Sequence, residues 1–227
     1  MPSNALNALL ASIPEVDDLL GAQKPLPPLQ RSTVGRAIRR ASTVALSSHF
    51  ERYLYVLNEE AVDVVNGSGI HGDQLPESLR LYHSKSAVEL LAETAWERNT
   101  RSNALETFVK DEAWLWSLGM AGHLNHERLL EFMSAPRPDE IRRYFRYWDI
   151  PDIFNAITRT PHVRTKLYVK LVELVDKRNG IAHGDVNIVP TYHDVISYRG
   201  VVKAFCTRTD RAIARQIDRM TGAGRPW

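Results

Sequence analysis

The sequence predicts an all-α fold, a helical bundle with a helical middle insertion. Three observations carry this. Apolar residues recur at three- and four-residue spacing along most of the 227 positions. No segment alternates apolar and polar residues between hairpin turns. Serine, threonine, proline and glycine fall where helices start and stop.

The elements follow in order. Residues 4–20 form a short amphipathic helix. AQKPLPPLQ, with Pro25, Pro27 and Pro28, reads as an arm, so residues 1–30 are set apart as an N-terminal helix and Pro-rich arm. The main helical domain is expected over 31–220, with an insertion at about 98–160, and 221–227 as a flexible tail. Ser32 or Thr33 is placed to cap a long helix running to about Val65, with Ala45, Leu46, Phe50, Leu54 and Leu57 on its apolar side. GSGIHGDQLPES is a break, and Pro76 to Ala95 is the next helix. ERNTRSN reads as a polar interruption before helical spacing resumes from Leu105 to Leu118. A short helix is expected at His126–Met133, and Pro136 and Pro138 open PDEIRRYFRYWDI, whose Asp139 and Glu140 suit a helix N-terminus. The segment Val163–Ala182 carries a buried stripe of Leu167, Leu171, Leu174 and Val175, with Val169 at its margin. Thr191 caps a last helix reaching about Met220.

Composition narrows the function. Hydrophobic content of 44% and charged content of 25% suit a soluble globular chain. No run is long and apolar enough to predict a membrane span, and MPSNALNALLASIPEVDD lacks the basic start of a signal peptide. A single cysteine, Cys206, excludes an internal disulfide framework and reads as a small core residue. A cytoplasmic location fits. The net charge of +2 hides 22 Arg against 7 Lys. Arginines cluster at Arg31, Arg36, Arg39, Arg40 and Arg52, at Arg137, Arg142, Arg143 and Arg146, and from Arg199 to Arg225. Such clusters suit a polyanion such as RNA, and equally suit ordinary solvated helix faces.

The informative stretch is VDKRNGIAHGD, residues 175–185, at the end of an amphipathic helix. Arg178 and His183 form an Arg-x-x-x-x-His pattern. With 22 Arg and 8 His in 227 residues, about one such pair arises by chance, so the setting matters more than the spacing. The same residues make an ordinary helix stop: Gly184 suits the position after the cap, and cations suit the last turn. Five positions correspond to roughly 140° on an ideal helix, so Arg178 and His183 do not share a strict face, whereas Asn179 and His183 do. Gly180 would permit a local loosening that brings them together.

RNGIAHG after LVELVDK resembles the motif of the HEPN superfamily of helical bundles, many of whose members are RNases in toxin–antitoxin systems or antiviral defence. TVALSSHFERYLYVL is similar to that family's early helix with an acidic residue, here Glu51. RSNALETFVKDEAWLW through PRPDEIRRYFRYWDIPDIF resembles the middle insertion of the RiboL-PSP-HEPN branch. The resemblance covers roughly residues 30–220. It implies a homodimer with two motifs across one cleft, RNA as substrate, and an antitoxin or defence-system partner protein.

Metal-free RNA cleavage needs a base for the 2′-hydroxyl, an acid for the departing 5′-oxygen, and a cation on the phosphorane. Histidine near neutral pH serves the first two roles and arginine the third. His183 and Arg178 are therefore the candidate catalytic residues, with Asn179 and Glu51 in support, and no cofactor and no metal is expected. Glu51 also reads as the partner of a structural ion pair. The alternative function is a non-catalytic module of the same fold that binds RNA, a nucleotide or a partner protein; a structural subunit of a defence complex is a third. His123 and His126 lack the further ligands a zinc site needs. HSKSAVE and SSHFE do not suggest an acyl-transfer triad, and GSGIHGD lacks the marks of a phosphate loop. Trp96, Trp114, Trp116 and Trp148 read mainly as packing, with a base-stacking role for one or two as the alternative.

Overall fold

The computed structural model describes residues 1–22, 28–94 and 98–227. Pro25, Pro27 and Trp96 lie outside them. Among the described residues every regular element is helical, and no helix is long and apolar enough to cross a membrane.

Helix α1 (Asn4–Gly21) starts where the Ser3 hydroxyl accepts the Leu6 N–H, and buries Leu6, Leu9, Ile13, Val16 and Leu20. It lies on α2 (Pro28–Gly67), so the N-terminal helix is part of the packed body. A helix starting at Pro28 puts Ser32 and Thr33 inside α2, not at its cap. The reason is that proline suits the first helical turn, where its missing N–H would have no partner anyway. At 40 residues α2 spans roughly 60 Å. Its Leu46, Phe50, Leu54, Leu57 and Ala61 are fully buried, and they form the spine of the core.

Helices α8 (Pro161–Ala182) and α9 (Tyr192–Thr221) pack on that spine and on each other. Phe205 of α9 meets Phe50 edge-on at 5.8 Å. Cys206 is fully buried beside it, a core residue as expected, and its carbonyl accepts the Tyr53 hydroxyl at 3.0 Å. The chain end folds back, with Trp227 Nε1 donating to the Asp210 carbonyl at 3.4 Å, where the sequence suggests a fraying tail.

Between α2 and α8 lie α3 (Glu77–Glu93), α4 (Arg98–Trp116), α5 (His126–Leu130), α6 (Pro138–Tyr147) and α7 (Ile153–Ile157). Arg98 to Asn103, expected as a polar interruption, is the first part of α4. Most of α4 faces solvent, so its start carries no apolar period to read. Helix α7, capped by Asp152, and the 3₁₀ turn Gly72–Gln74 are not among the expected elements. Asn58 of α2 ties this region down: its amide donates to the His126 carbonyl at 2.7 Å and its oxygen accepts the Tyr144 hydroxyl at 3.1 Å.

Helix α6 ends with Asp149 in the left-handed region, φ 56°. The Asp149 N–H bonds to the Arg146 carbonyl and the Ile150 N–H to the Phe145 carbonyl, a Schellman ending without its usual glycine. Asp149→Gly is expected to raise the unfolding free energy by about 0.5–1 kcal/mol, read from urea titration.

A buried polar cluster links α3, α4 and α5. The Asn125 N–H donates to His83 Nε2 at 2.8 Å, so Nδ1 carries the proton and donates to Glu112 at 3.2 Å. Ser84 and Arg128 donate to the same carboxylate. This His–Ser–Glu grouping is no triad, because the histidine nitrogen a serine would need is already taken by backbone.

Candidate functional site at the end of α8

Helix α8 opens with Pro161 at its first turn and buries Leu167, Leu171, Leu174 and Val175 as expected. Val169 does not belong to the stripe: it is 42% exposed, because the face it occupies has no helix packed over it. The buried stripe fixes the rotation of α8 and so fixes where Arg178 emerges.

Arg178 is half-buried between α8 and α2. Its Nη1 donates to Asn179 Oδ1 at 3.0 Å, and its Nη2 lies 3.5 Å from Glu51 Oε2. Three of the four expected site residues therefore form one cluster, and Glu51 does pair with Arg178. A guanidinium held on two sides has a fixed orientation, with further donors left over for a phosphate. Tyr55, one turn along α2 from Glu51, borders the cluster and donates to the Met133 carbonyl at 3.2 Å. Burial, then the Glu51 and Glu140 charges, push its hydroxyl pKa up, so it remains a phenol at neutral pH.

His183 is set differently. It is the C-cap of α8, it is exposed, and among the described residues nothing hydrogen-bonds its ring. Its N–H bonds to the Asn179 carbonyl at 2.9 Å, so Asn179 holds His183 through the backbone while its side chain serves Arg178. The Gly184 N–H bonds to the Ile181 carbonyl and the Asp185 N–H to the Gly180 carbonyl. This is a Schellman ending with Gly184 at φ 83°, so the helix-stop account of the glycine holds in full. Gly184→Ala is expected to cost about 1–2 kcal/mol in urea unfolding, through left-handed strain.

Gly180 does not loosen the helix, which runs regularly to Ala182. A Cβ there would sit 2.1 Å from Ile188 Cδ1, the tip of a flexible side chain that would have to turn aside.

The loop after α8 is held by Arg39 and Arg40, members of an arginine cluster that suits either a polyanion or a solvated helix face. Arg40 Nη1 donates to the Asp185 carbonyl at 2.6 Å and to the Ile188 carbonyl at 2.8 Å. Arg39 Nε donates to the Pro190 carbonyl at 2.8 Å. The acceptors are backbone carbonyls in a loop, which a sequence does not reveal as partners. Arg137 pairs with Asp176, Arg142 with Asp139, and Arg199 with Asp17, so these arginines also have acidic partners. Arg40→Ala is expected to cost about 1–3 kcal/mol in urea unfolding, whereas an arginine serving only a polyanion would cost almost nothing.

Lys177 likewise has a partner beyond the helix end, Asp194 at 2.9 Å. Burial opposes the Asp194 charge, but the Thr191 N–H and Lys177 outweigh it and hold the carboxyl below its usual range. Thr191 and Asp194 form a reciprocal capping box, which fixes where α9 starts relative to α8. Trp114 and Trp148 are buried as expected, while Trp116 is 45% exposed. Among the described residues no group of three or more His, Cys, Asp or Glu side chains could hold a metal ion, and His123 and His126 do not form one.

An oriented guanidinium and an accessible imidazole thus lie at one helix end on different faces of α8, because the helix stays regular through Gly180. Neither a curated protein nor a solved structure matches the chain. The family model RiboL-PSP-HEPN matches residues 7–215, a span that begins in α1 and ends inside α9. The chain belongs to the RiboL-PSP-HEPN family.

Proposed function

We propose that the protein is a metal-independent endoribonuclease of HEPN type, acting on single-stranded or loop RNA as a homodimer. One observation carries this most: Arg178 is fixed by Asn179 and Glu51 within one helical turn and a half of an exposed, unengaged His183. His183 takes the proton of the 2′-hydroxyl as its oxygen attacks phosphorus. Arg178 neutralises charge on the phosphorane. The P–O5′ bond breaks, and the departing oxygen takes a proton from His183 of the second copy. One chain offers one such histidine, so the reaction needs both copies. A role in toxin–antitoxin or antiviral defence, restrained by a partner protein, follows from the same reading.

An RNA carrying a single 2′-deoxyribose at a mapped cleavage linkage tests this chemistry. Cleavage at that linkage should stop while neighbouring linkages remain substrates, because the nucleophile has been removed. Continued cleavage there would refute the proposed attack.

A binding module is the second reading, and the Arg178–Glu51 pair favours it, since the guanidinium is already partly neutralised. It predicts RNA affinity that falls steeply with salt and no cleavage.

A further inference from the structure

Among the described residues an uncovered apolar surface lies far along the chain from the site, on the α3/α4 hairpin. Helix α4 packs on α3 and on the Gly72–Gln74 turn, and its outer side faces solvent. Leu81 is 55% exposed, Val88 48%, Leu105 43%, Val109 57% and Trp116 45%. Leu81 and Val88 sit seven apart on one face of α3, and Leu105, Val109 and Trp116 keep helical spacing on α4. Between the helices runs a groove of ≈ 650 Å³ lined by Leu81, Val88, Phe108, Ala113 and Trp116. Leu81, Val88 and Trp116 thus share one apolar groove, the kind of surface that interaction partners cover.

Trp116 is already set for a partner. Its indole N–H donates to the Ser84 hydroxyl at 3.2 Å, and the Arg80 guanidinium lies 5.0 Å over its ring. A half-exposed indole held in one orientation loses little freedom on docking, the property of an interface anchor.

The charges on the groove's rim say what fits. Lys85 and Glu89 lie four residues apart on α3, paired at 3.6 Å, and both are at least half-open to solvent, one before and one after Val88. One positive and one negative group give no net attraction for a phosphate backbone. They do make the rim complementary to itself. If two α3 helices run antiparallel about a two-fold axis that passes between Lys85 and Glu89 on the Val88 face, Lys85 of each copy faces Glu89 of the other. Both apolar grooves then close on the facing hairpin. A two-fold contact repeats each such pairing, as an isologous interface requires.

We infer that the α3/α4 hairpin docks onto the same hairpin of a second copy, forming an antiparallel four-helix contact with Val88 at its centre and Lys85–Glu89 pairs across the axis. This contact is separate from the pairing of motif ends in the proposed nuclease and stands without that reading.

The test is the mass of the nuclease-treated full chain by sedimentation, for the wild type, Val88→Glu, Lys85→Glu, and the double variant Lys85→Glu/Glu89→Lys. All three changes are at exposed positions, and circular dichroism checks that each folds. Val88→Glu should halve the mass of the assembly. Lys85→Glu should weaken self-association at least about tenfold, by setting like charges opposite each other. The double variant should restore it, because exchanged charges still complement their own copy. A monomeric wild type, an unchanged mass for Val88→Glu, or a double variant no better than Lys85→Glu would each overturn the inference. The last outcome would assign the groove to a different protein.

Discussion

Arg178→Ala should lower RNA cleavage by about 10²–10³-fold, the usual loss when one preorganised donor to a transition-state oxyanion is removed. The structure makes this a clean test. Arg178 and Glu51 are each about a quarter exposed, so Glu51 can hydrate once its partner is gone. Global stability should therefore change by less than about 1 kcal/mol, as for other ion pairs open to solvent. Arg178→Lys keeps the charge but loses the fork that binds Asn179 while leaving donors for phosphate, and should recover only part of the rate. Glu51→Gln removes the competing charge and should affect rate less than Arg178→Ala does. Initial-rate measurements on one mapped RNA linkage, beside urea unfolding of each variant, check all of this. A large fall in stability with Arg178→Ala would make the residue structural.

Glu112→Ala should be the most damaging single change to the fold, at about 3–5 kcal/mol in denaturant unfolding. The carboxylate is fully buried and accepts from His83, Ser84 and Arg128. Removing it strands three donors at once, one of them a cation. Burial alone would raise the Glu112 pKa, but these hydrogen bonds outweigh it and hold the carboxyl below its usual value. The folded pKa is thus below the unfolded one, and in the interval between them the unfolded chain binds more protons. The stabilisation is complete above the ordinary glutamate range and is lost as pH falls through the lowered value. Glu112→Gln should consequently flatten the acid limb of the stability profile, measured by urea unfolding from neutral pH downward. An unchanged limb would place the acid sensitivity elsewhere.

How far the sequence could be read depends on where each residue faces. The stripe of α8 and the Thr191 start of α9 were legible because buried periods and caps are local signals. The start of α4 was not, since Arg98 to Asn103 belong to a helix with little apolar face to show. Adjacent acids Asp111 and Glu112 look alike in sequence, yet one is exposed and the other is the centre of a buried cluster. At the site, the pairing of Glu51 with Arg178 is one of the two arrangements the sequence suggests, whereas Asn179, expected to work with His183, turns its side chain to Arg178 instead. The roles of Arg39 and Arg40 were hidden, because their partners are loop carbonyls that any residue supplies. Gly180 suggests looseness in sequence, yet the helix stays regular there, and its close neighbour, the Ile188 side chain, lies eight residues on.

The most direct measurement incubates purified protein with a mixed tRNA and mRNA pool in excess EDTA, beside His183→Ala, and reads the chemistry of the product ends. The account predicts cleavage by the wild type alone, with 2′,3′-cyclic phosphate ends. It also predicts a His183→Ala variant that folds and binds RNA but cuts at least about 10²-fold more slowly. Equal cleavage by both proteins, or cleavage by neither, would contradict it.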